Sequence, residues 1–278
     1  MSPFRSSSSP SVRTLLTIAG HDPSSGAGIT ADLQTFCSHR LFGTSAITAL
    51  TIQSTLDVAD VQPVDPGLLA RTLDHLIEDL PPSGIKIGML GSADIVRTVA
   101  TFLTAYKRQA GKLSPPIVLD PILRSSSGSD LLPPNALEAL HQQLLPAVTW
   151  ITPNWSELSA LTALPISTLA HAESALRALA ARHPHLSIVA TAGDSPQPTD
   201  ILRLPSGEVH RFIGEHIETT STHGTGCAFS SALLSLLVLR DTPIEAVRGA
   251  KHFVTEALRR APGLGQGRGP LNLLWRLS

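Results

Sequence analysis

Short apolar runs alternate with amphipathic helical patterns along most of this chain, and that alternation constrains its fold more than any other feature. Several of the runs have the length and the flanking turn residues that are typical of buried strands. They cover residues 15–19, 45–52, 84–90, 117–120, 148–152 and 187–192. Helical patterns lie between them, so the chain forms a series of β-α-β units. This order predicts an α/β fold with a mostly parallel central sheet that helices cover on both faces.

Local signals indicate where some elements begin and end. Asp65 followed by Pro66 is typical of a helix N-terminus, and Gly43 can end the first helix, whose apolar face runs over residues 29–41. Near the C-terminal end, Pro205-Ser206-Gly207 separates two short apolar runs. This segment predicts a hairpin at one edge of the sheet.

The domain organisation is simple. No internal repeat is visible, and the Pro and Gly residues are too evenly spread to mark a linker. We therefore expect a single domain over residues 14–278. Residues 1–13 are Ser-rich and lack the apolar stretch of a signal peptide, which predicts a disordered leader.

Charge and cysteine content argue against several classes of protein. The formal net charge is −1, so no surface for nucleic acid or for an anionic membrane is indicated. The two cysteines, Cys37 and Cys227, are far apart, which argues against a disulfide scaffold and favours a reducing, cytoplasmic compartment. The longest apolar region, residues 228–239, is too short to span a bilayer.

The run from Ser221 to Cys227 reads S-T-H-G-T-G-C and directly precedes a strongly helical apolar stretch. Its glycines and small hydroxyl residues allow several backbone N–H groups to converge at the positive end of a helix. We call residues 224–227 the anion cradle. A thiol at a helix N-terminus has a lowered pKa, so Cys227 is a candidate reacting group. A helix cap followed by a small buried cysteine is the alternative explanation.

Further polar residues follow the predicted strands, where open α/β sheets bind their ligands. They are the glycine-rich loop 20–28 with Asp32 in the next helix, then Gln53, Met89, Asp120, Asn154 and Glu157. A strand-end Asp120, with Asn154 and Glu157 one helical turn apart, supplies oxygen ligands that suit a hydrated magnesium ion. Helix capping by the polar residues, and a core position for Met89, are the alternatives.

The glycine-rich loop also allows a dinucleotide-binding interpretation. Gly26, Gly28 and Ala31 fit the spacing G-x-G-x-x-A between a strand and a helix. The first strand ends near Gly20, however, which leaves a loop too long for the tight turn of that fingerprint. The second strand ends at Gln53, where a ribose-binding acid is expected. These two details argue against a nicotinamide or flavin cofactor.

The motifs resemble those of a known family. They are Thr17-Ile18-Ala19-Gly20, Asp22-Pro23, Gly26-Ala27-Gly28-Ile29, Ala31-Asp32-Leu33, Ile47-Thr48-Ala49-Leu50, Gln53, Lys86-Ile87-Gly88-Met89-Leu90, Val118-Leu119-Asp120-Pro121, Ile151-Thr152-Pro153-Asn154, Glu157 and His223-Gly224-Thr225-Gly226-Cys227. In this order they look like the hydroxymethylpyrimidine/phosphomethylpyrimidine kinases of thiamine biosynthesis, members of the ribokinase-like superfamily. The resemblance implies a three-layer α/β/α sandwich, a magnesium-dependent homodimer, and ATP as co-substrate. It also implies phosphorylation of 4-amino-5-hydroxymethyl-2-methylpyrimidine, and then of its monophosphate to the diphosphate.

The resemblance further implies roles for individual residues. The catalytic residues are Gly224, Thr225, Gly226 and Cys227. In many ribokinase relatives the last of these positions is Asp, the general base, and here a Cys227 thiolate is the alternative base for the hydroxymethyl proton. The substrate contacts are Gly20, Ala27, Asp32, Gln53 and Met89, and Gln53 offers one acceptor and two donors to the aminopyrimidine edge. The nucleotide contacts are Asn154, Glu157, Thr191, Thr225 and Gly226. Magnesium is held through water by Asp120, Asn154 and Glu157.

One position departs from the family pattern. A lysine in a K-G-G motif commonly follows the sixth strand and contacts the nucleotide phosphates, whereas this chain has Thr191 in the sequence A-T-A-G-D. Threonine keeps a hydrogen-bond donor but loses the charge. Two alternative functions stay open. One is a pyridoxal kinase, since some relatives with the same G-T-G-C ending accept that vitamin, and the other is a catalytically silent pyrimidine-binding regulator.

Overall fold

The computed structural model describes residues 12–111, 114–124, 128, 131–193 and 197–277. Within them, nine strands form one sheet. The strands are β1 (Thr14–His21), β2 (Phe42–Gln53), β3 (Val58–Pro63), β4 (Gly84–Ile87), β5 (Ile117–Leu119), β6 (Trp150–Ile151), β7 (Ser187–Ala190), β8 (Thr199–Arg203) and β9 (Val209–Ile213). Their order is β3-β2-β1-β4-β5-β6-β7-β8-β9. The six strands from β2 to β7 in this order pair in parallel, while β3 at one edge and β8 and β9 at the other are antiparallel.

Helices cover both faces of the sheet. They are α1 (Gly28–Ser38), α2 (Pro66–Asp79), α3 (Ala93–Ala110), α4 (Pro134–Ala139), α5 (Trp155–Thr162), α6 (Leu169–Arg182), α7 (Thr225–Val238) and α8 (Pro243–Arg259), with a π-helical turn Leu140–Leu144 and a 3₁₀ turn Leu145–Ala147 after α4. One apolar core lies between the sheet and helices α2 to α6, and a second lies between the sheet and helices α1, α7 and α8. The predicted three-layer α/β/α fold with a mostly parallel sheet is therefore confirmed.

Side-chain caps explain several helix starts. Asp65 accepts a hydrogen bond from the Leu68 N–H at 2.7 Å, so α2 begins where the Asp-Pro pair predicted.

The prediction that Gly43 ends α1 is wrong. That helix ends at Ser38, and Gly43 lies inside β2, where a Cβ atom would be 2.5 Å from Cδ2 of Leu33. The glycine thus lets the first helix lie close against the sheet.

The strand order explains why a site forms at this sheet. Strand β1 lies between β2 and β4, so the chain leaves it toward one side through α1 and returns to its other side through α2. Helices α1 and α2 lie on opposite faces, and a crevice opens where the winding direction changes. The loops that follow β1, β2, β4 and β5 meet at this crevice.

Edge strand β3 was not predicted, because its sequence V-A-D-V-Q-P is short and weakly alternating, and none of its residues is fully buried. Residues 1–11 of the predicted leader lie outside the described residues, and the single-domain extent of residues 14–278 stays a prediction.

Both cysteines are free, with Cys37 exposed and Cys227 buried. Across the described ranges, no helix is both long and apolar enough to cross a membrane.

Candidate active site

An open cleft of about 1140 Å³ runs along the carboxyl ends of the strands. Loops that follow the parallel strands line it, together with the first turn of α7 and one side of α8. The structure brings all predicted site residues except Asp32 to this cleft. They are Gly20, Ala27, Gln53, Met89, Asp120, Asn154, Glu157, Thr191, Gly224, Thr225, Gly226 and Cys227. Their individual roles stay predictions.

The anion cradle has the backbone geometry of a tight turn into a helix. Gly224 is the N-cap of α7 and has a φ of 85°, which favours glycine. A Cβ atom at Gly224 would lie 1.9 Å from the carbonyl oxygen of Gly26, so the loop after β1 packs directly on the turn. The first hydrogen bond of α7 runs from the Ala228 N–H to the Gly224 carbonyl at 2.8 Å. The N–H groups of residues 225–227 therefore lie ahead of the helical ladder, where helices bind anions.

Cys227 does not have the lowered pKa that its place at a helix N-terminus predicted. Burial raises the pKa of its thiol to about 12, although the charge of Lys86 and a hydrogen bond from the Gly28 N–H oppose the rise. The carboxylates of Asp120 and Asp32 raise this pKa further. The expectation was wrong because the first turn of α7 is packed into the core beside two acids, which the sequence does not show. At neutral pH the group is a thiol.

Asp22 and His223 join the loop after β1 to the cradle, and no role was predicted for either side chain. Nε2 of His223 lies 2.7 Å from Oδ2 of Asp22. Asp22 also accepts hydrogen bonds from the N–H groups of Ser24 at 2.8 Å and Ala27 at 2.9 Å. Burial raises the pKa of Asp22, but the hydrogen bonds from His223 and Ser24 outweigh burial and hold the pKa below its ordinary value. An ionised Asp22 thus holds the loop against the cradle.

Gln53 and Met89 form a second wall of the cleft. Nε2 of the Gln53 amide lies 3.1 Å from Nε2 of His223, so this amide is held beside the cradle. Met89 is buried, and a Cβ atom on Gly20 would lie 2.3 Å from its terminal methyl carbon. Glycine at position 20 therefore leaves the space that the thioether fills. The wall combines one amide with an apolar surface, which suits a flat ring with a polar edge.

Two buried acids lie beyond neighbouring strands, with Asp120 directly after β5 and Glu157 in the first turn of α5, the helix that follows β6. A Cβ atom at Gly226 would lie 3.6 Å from Oδ2 of Asp120, which places this acid in front of the cradle. Burial raises the pKa of Asp120 to about 6, with Lys86 opposing the rise and Asp32 adding to it. Burial also raises the pKa of Glu157 well above its ordinary value, and the charge of Asp120 raises it further. The two acids resist being ionised together.

Asn154 and Glu157 also form a helix cap, as the alternative explanation predicted. The Glu157 N–H donates to Oδ1 of Asn154 at 2.9 Å, and the Asn154 N–H donates to Oε2 of Glu157 at 2.8 Å. Among the described residues, no group of three His, Cys, Asp or Glu side chains could hold a metal. Magnesium often keeps several waters and uses one or two carboxylates, and a cation would relieve the repulsion between these acids. Asp120 and Glu157 therefore fit a water-mediated magnesium site.

Asp32 does not line the cleft, and the prediction that it contacts the substrate is wrong. Its side chain is fully buried, and each of its carboxylate oxygens lies 2.9 Å from Nζ of Lys86. It also accepts hydrogen bonds from the hydroxyls of Thr17 at 2.6 Å and Ser231 at 2.7 Å. Its partners lie within the core, so the carboxylate is not presented to a ligand.

Thr191 lies on the wall of the cleft beside the Asn154 cap. Its N–H donates to the carbonyl of Pro153 at 2.9 Å. The next residue, Ala192, donates its N–H to Oδ1 of Asp200 at 3.0 Å. Nζ of Lys251 on α8 lies 2.7 Å from Oδ2 of the same carboxylate. A lysine charge therefore reaches this end of the cleft from α8, where it is paired with Asp200.

Comparison with known proteins identifies the family. The model of the phosphomethylpyrimidine kinase family matches residues 22–272. This chain belongs to that family. It is 38% identical over 266 residues to the hydroxymethylpyrimidine/phosphomethylpyrimidine kinase of Haemophilus influenzae, a match that covers 94% of this chain and 96% of that protein. It is also 38% identical over 267 residues to the thiamine biosynthesis bifunctional protein ThiED of Geobacter sulfurreducens, which covers 93% of this chain and 52% of that protein.

Solved structures of kinases share the fold of this family member. An ADP complex of Bacillus subtilis pyridoxal kinase matches with a TM-score of 0.83 and 30% identity, covering 96% of this chain and 100% of that chain. The phosphomethylpyrimidine kinase of Clostridium difficile matches with a TM-score of 0.75 and 32% identity, covering 88% and 99%. The resemblance to the ribokinase-like phosphomethylpyrimidine kinases is thereby confirmed, and the protein is a phosphotransferase.

Proposed function

We propose that this kinase transfers the γ-phosphoryl group of ATP to 4-amino-5-hydroxymethyl-2-methylpyrimidine, and a second phosphoryl group to the monophosphate, in thiamine biosynthesis. The observation that carries the proposal is the meeting of the anion cradle, the two buried acids and the Gln53 amide in one cleft. Phosphoryl transfer depends on in-line positioning and on neutralising the charge of the transferred group. The N–H groups of the cradle supply this neutralisation, the two acids would hold a magnesium ion that adds to it, and Gln53 positions the ring.

The two steps differ in the proton that they release. In the first, the hydroxymethyl oxygen attacks the γ-phosphorus, the bond to the ADP oxygen breaks, and the hydroxyl proton passes to Sγ of Cys227 as a thiolate. In the second, a phosphate oxygen of the monophosphate attacks and ADP leaves again. A phosphate monoester has a second pKa of about 6, so this nucleophile is already ionised at neutral pH and needs no base. We propose that Cys227 serves the first step alone.

The other walls of the cleft position the two substrates. Gln53 hydrogen-bonds the nitrogen-rich edge of the pyrimidine, with Met89, Gly20 and Ala27 around the ring. The N–H groups of the cradle, including Thr225 and Gly226, bind the transferred phosphoryl group. Thr191, with Asn154 and Glu157, lies on the nucleotide side. Magnesium, when held through water by Asp120, Asn154 and Glu157, would neutralise phosphate charge.

The choice between rings tests this proposal. We expect the purified protein to consume ATP in the presence of magnesium and the hydroxymethyl aminopyrimidine, and to turn over pyridoxal more slowly, because an amide matches the aminopyrimidine edge. ATP consumption is measured with each ring at matched concentration, with neither ring, and with magnesium removed by a chelator. Equal or faster turnover of pyridoxal would replace this assignment by the second candidate.

That second candidate is a pyridoxal kinase, and one observation favours it. Solved pyridoxal kinases match this fold with a TM-score of up to 0.83, against 0.75 for the phosphomethylpyrimidine kinase, and one Staphylococcus aureus structure holds pyridoxal with AMP-PCP. Sequence similarity favours the pyrimidine kinases, since two such relatives are 38% and 39% identical over most of their length. We do not propose the silent regulator, because the chain belongs to a kinase family.

Thr191 gives a second testable expectation. If it occupies the position of the family lysine, Thr191→Lys adds an ammonium beside the nucleotide phosphates, so ATP should bind more tightly. The gain should shrink with added salt, because ions screen the new charge. Titrating ATP against both proteins at low and high salt measures this. A lysine variant that folds but binds ATP no better would contradict the assigned position. Asp194, whose charge would compete for the new ammonium, lies outside the described residues.

The cellular setting is proposed on the family resemblance. We propose a cytoplasmic homodimer that acts on small molecules, with no nucleic acid or membrane as partner. The two free cysteines support a reducing compartment.

A further inference from the structure

Lys86 and Asp32 form an ion pair beneath the cleft, and no step of the proposed reaction takes place on either side chain. Both side chains are 0% exposed, and Nζ of Lys86 lies 2.9 Å from each oxygen of Asp32. A Cβ atom at Gly88 would lie 2.9 Å from Nζ of Lys86, so the ammonium fits there only because residue 88 has no side chain. Burying two charges is costly unless their geometry and hydrogen bonding are good. The core is therefore built around this pair.

The pair connects four elements that position the cleft. Lys86 lies on β4 and Asp32 on α1, while the hydroxyl of Thr17 on β1 donates to Oδ2 of Asp32 at 2.6 Å. The fourth contact comes from α7, where the hydroxyl of Ser231 donates to Oδ1 at 2.7 Å. Ser231 lies one helical turn after Cys227, the last residue of the anion cradle. The same carboxylate thus holds two central strands and the start of the cradle helix.

We propose that the Asp32–Lys86 ion pair, acting through Ser231, sets the position of the anion cradle over the strand ends and is a positioning unit for phosphoryl transfer. Next to Ser231, the hydroxyl of Ser230 donates to Oδ2 of Asp120 at 3.2 Å, a longer contact than the 2.7 Å bond from Ser231 to Asp32, and the rest of the buried face of α7 is mainly apolar. Apolar packing does not fix a helix along its axis as a short hydrogen bond to a charged group does. A displacement of the cradle by about 1 Å can cost roughly 100-fold in rate. This inference rests on the proposed function of the cleft.

Ser231→Ala tests the link with the smallest change. Asp32 keeps its contacts to Lys86 and Thr17, so its buried charge stays paired and the fold should survive. We expect kcat to fall roughly 10- to 100-fold with KM for the pyrimidine nearly unchanged, since a displaced cradle affects the transferred group more than the ring. Ser235→Ala is the matched control, because Ser235 is equally buried on α7 but donates to the carbonyl of Ser231 at 2.8 Å. It should leave kcat within about 2-fold.

A double variant separates positioning from stability. Replacing Asp32 and Lys86 by Leu and Met removes the pair without leaving a buried charge, and such replacements often preserve stability. We expect the melting temperature to be largely kept while kcat falls at least as far as in Ser231→Ala, because losing the charge of Lys86 also raises the pKa of Cys227. Wild-type kcat in a folded double variant, or equal kcat in Ser231→Ala and Ser235→Ala, would overturn the inference. If the double variant does not fold, the serine pair decides.

Binding of AMP-PCP distinguishes this inference from the proposed function. If the wild-type protein turns over no ring, the proposed reaction fails, and the Kd of AMP-PCP then decides about the cradle. Weaker binding to Ser231→Ala than to Ser235→Ala, by about 5-fold or more, supports the positioning role. Equal Kd values in an inactive protein would overturn it.

Discussion

Gly224→Ala should lower kcat/KM by roughly 1,000-fold, because it displaces several N–H groups that bind the transferred phosphoryl group. The new Cβ atom would lie 1.9 Å from the carbonyl oxygen of Gly26, and neither backbone can move without opening the cradle. The backbone at Gly224 also has a φ of 85°, which alanine adopts with strain. Steady-state kinetics with the pyrimidine and ATP, at a temperature where the variant is folded, measures the loss.

Gly207→Ala is the control for strain alone. Gly207 has a similar φ of 93°, and a Cβ atom there would meet nothing within 4 Å. This variant should lose about 1 kcal/mol of stability and keep its activity. Comparable activity losses in the two variants would mean that global strain, and not the close approach of Gly26, explains the effect.

Cys227→Ala should slow the first phosphorylation by roughly 100-fold or more, the usual scale for a general base. The second phosphorylation, whose phosphate nucleophile needs no base, should slow by less than about 10-fold. Measuring both steps separately, with the alcohol and with the monophosphate, compares the two losses within one variant. Near-normal turnover of the alcohol would show that the thiol only packs, and equal losses in both steps would assign it to the cradle.

The pH dependence of the first step follows from the buried thiol. Because burial raises the pKa of Cys227 to about 12, the thiolate is scarce at neutral pH and grows in proportion to hydroxide. The rate for the alcohol should therefore rise about 10-fold per pH unit between about pH 7 and 9, without a plateau. Cys227→Ala should lose this slope. A pH-independent wild-type rate over the same range would contradict thiolate catalysis.

The sequence predicted the parts of the molecule that depend on local patterns. The strand ends were readable from the apolar runs, and parallel strands bring their carboxyl ends to one edge, so Gln53, Asp120 and Asn154 were expected near each other. The turn at Gly224 was readable from its glycines. Strand β3 was not predicted because a partly exposed edge strand does not need the alternation of apolar and polar residues by which a strand is recognised in a sequence.

What the sequence did not predict depends on partners that are distant along the chain. Asp32 was assigned to the substrate, yet its partner Lys86 lies 54 residues away, and the two meet only when β4 and α1 pack. His223 and Asp22 are 201 residues apart. The pKa of Cys227 was predicted with the wrong sign because the helix terminus is a local feature, whereas burial and the nearby acids are products of packing.

Identification of the products tests the central claim most directly. The protein is incubated with ATP, magnesium and 4-amino-5-hydroxymethyl-2-methylpyrimidine, and the reaction is followed by phosphorus NMR and mass spectrometry. The account predicts that the pyrimidine monophosphate appears first and that the diphosphate then forms at its expense, with one ADP per phosphoryl group transferred. ATP hydrolysis without a phosphorylated pyrimidine, or no ATP consumption in a folded protein that binds AMP-PCP, would contradict it.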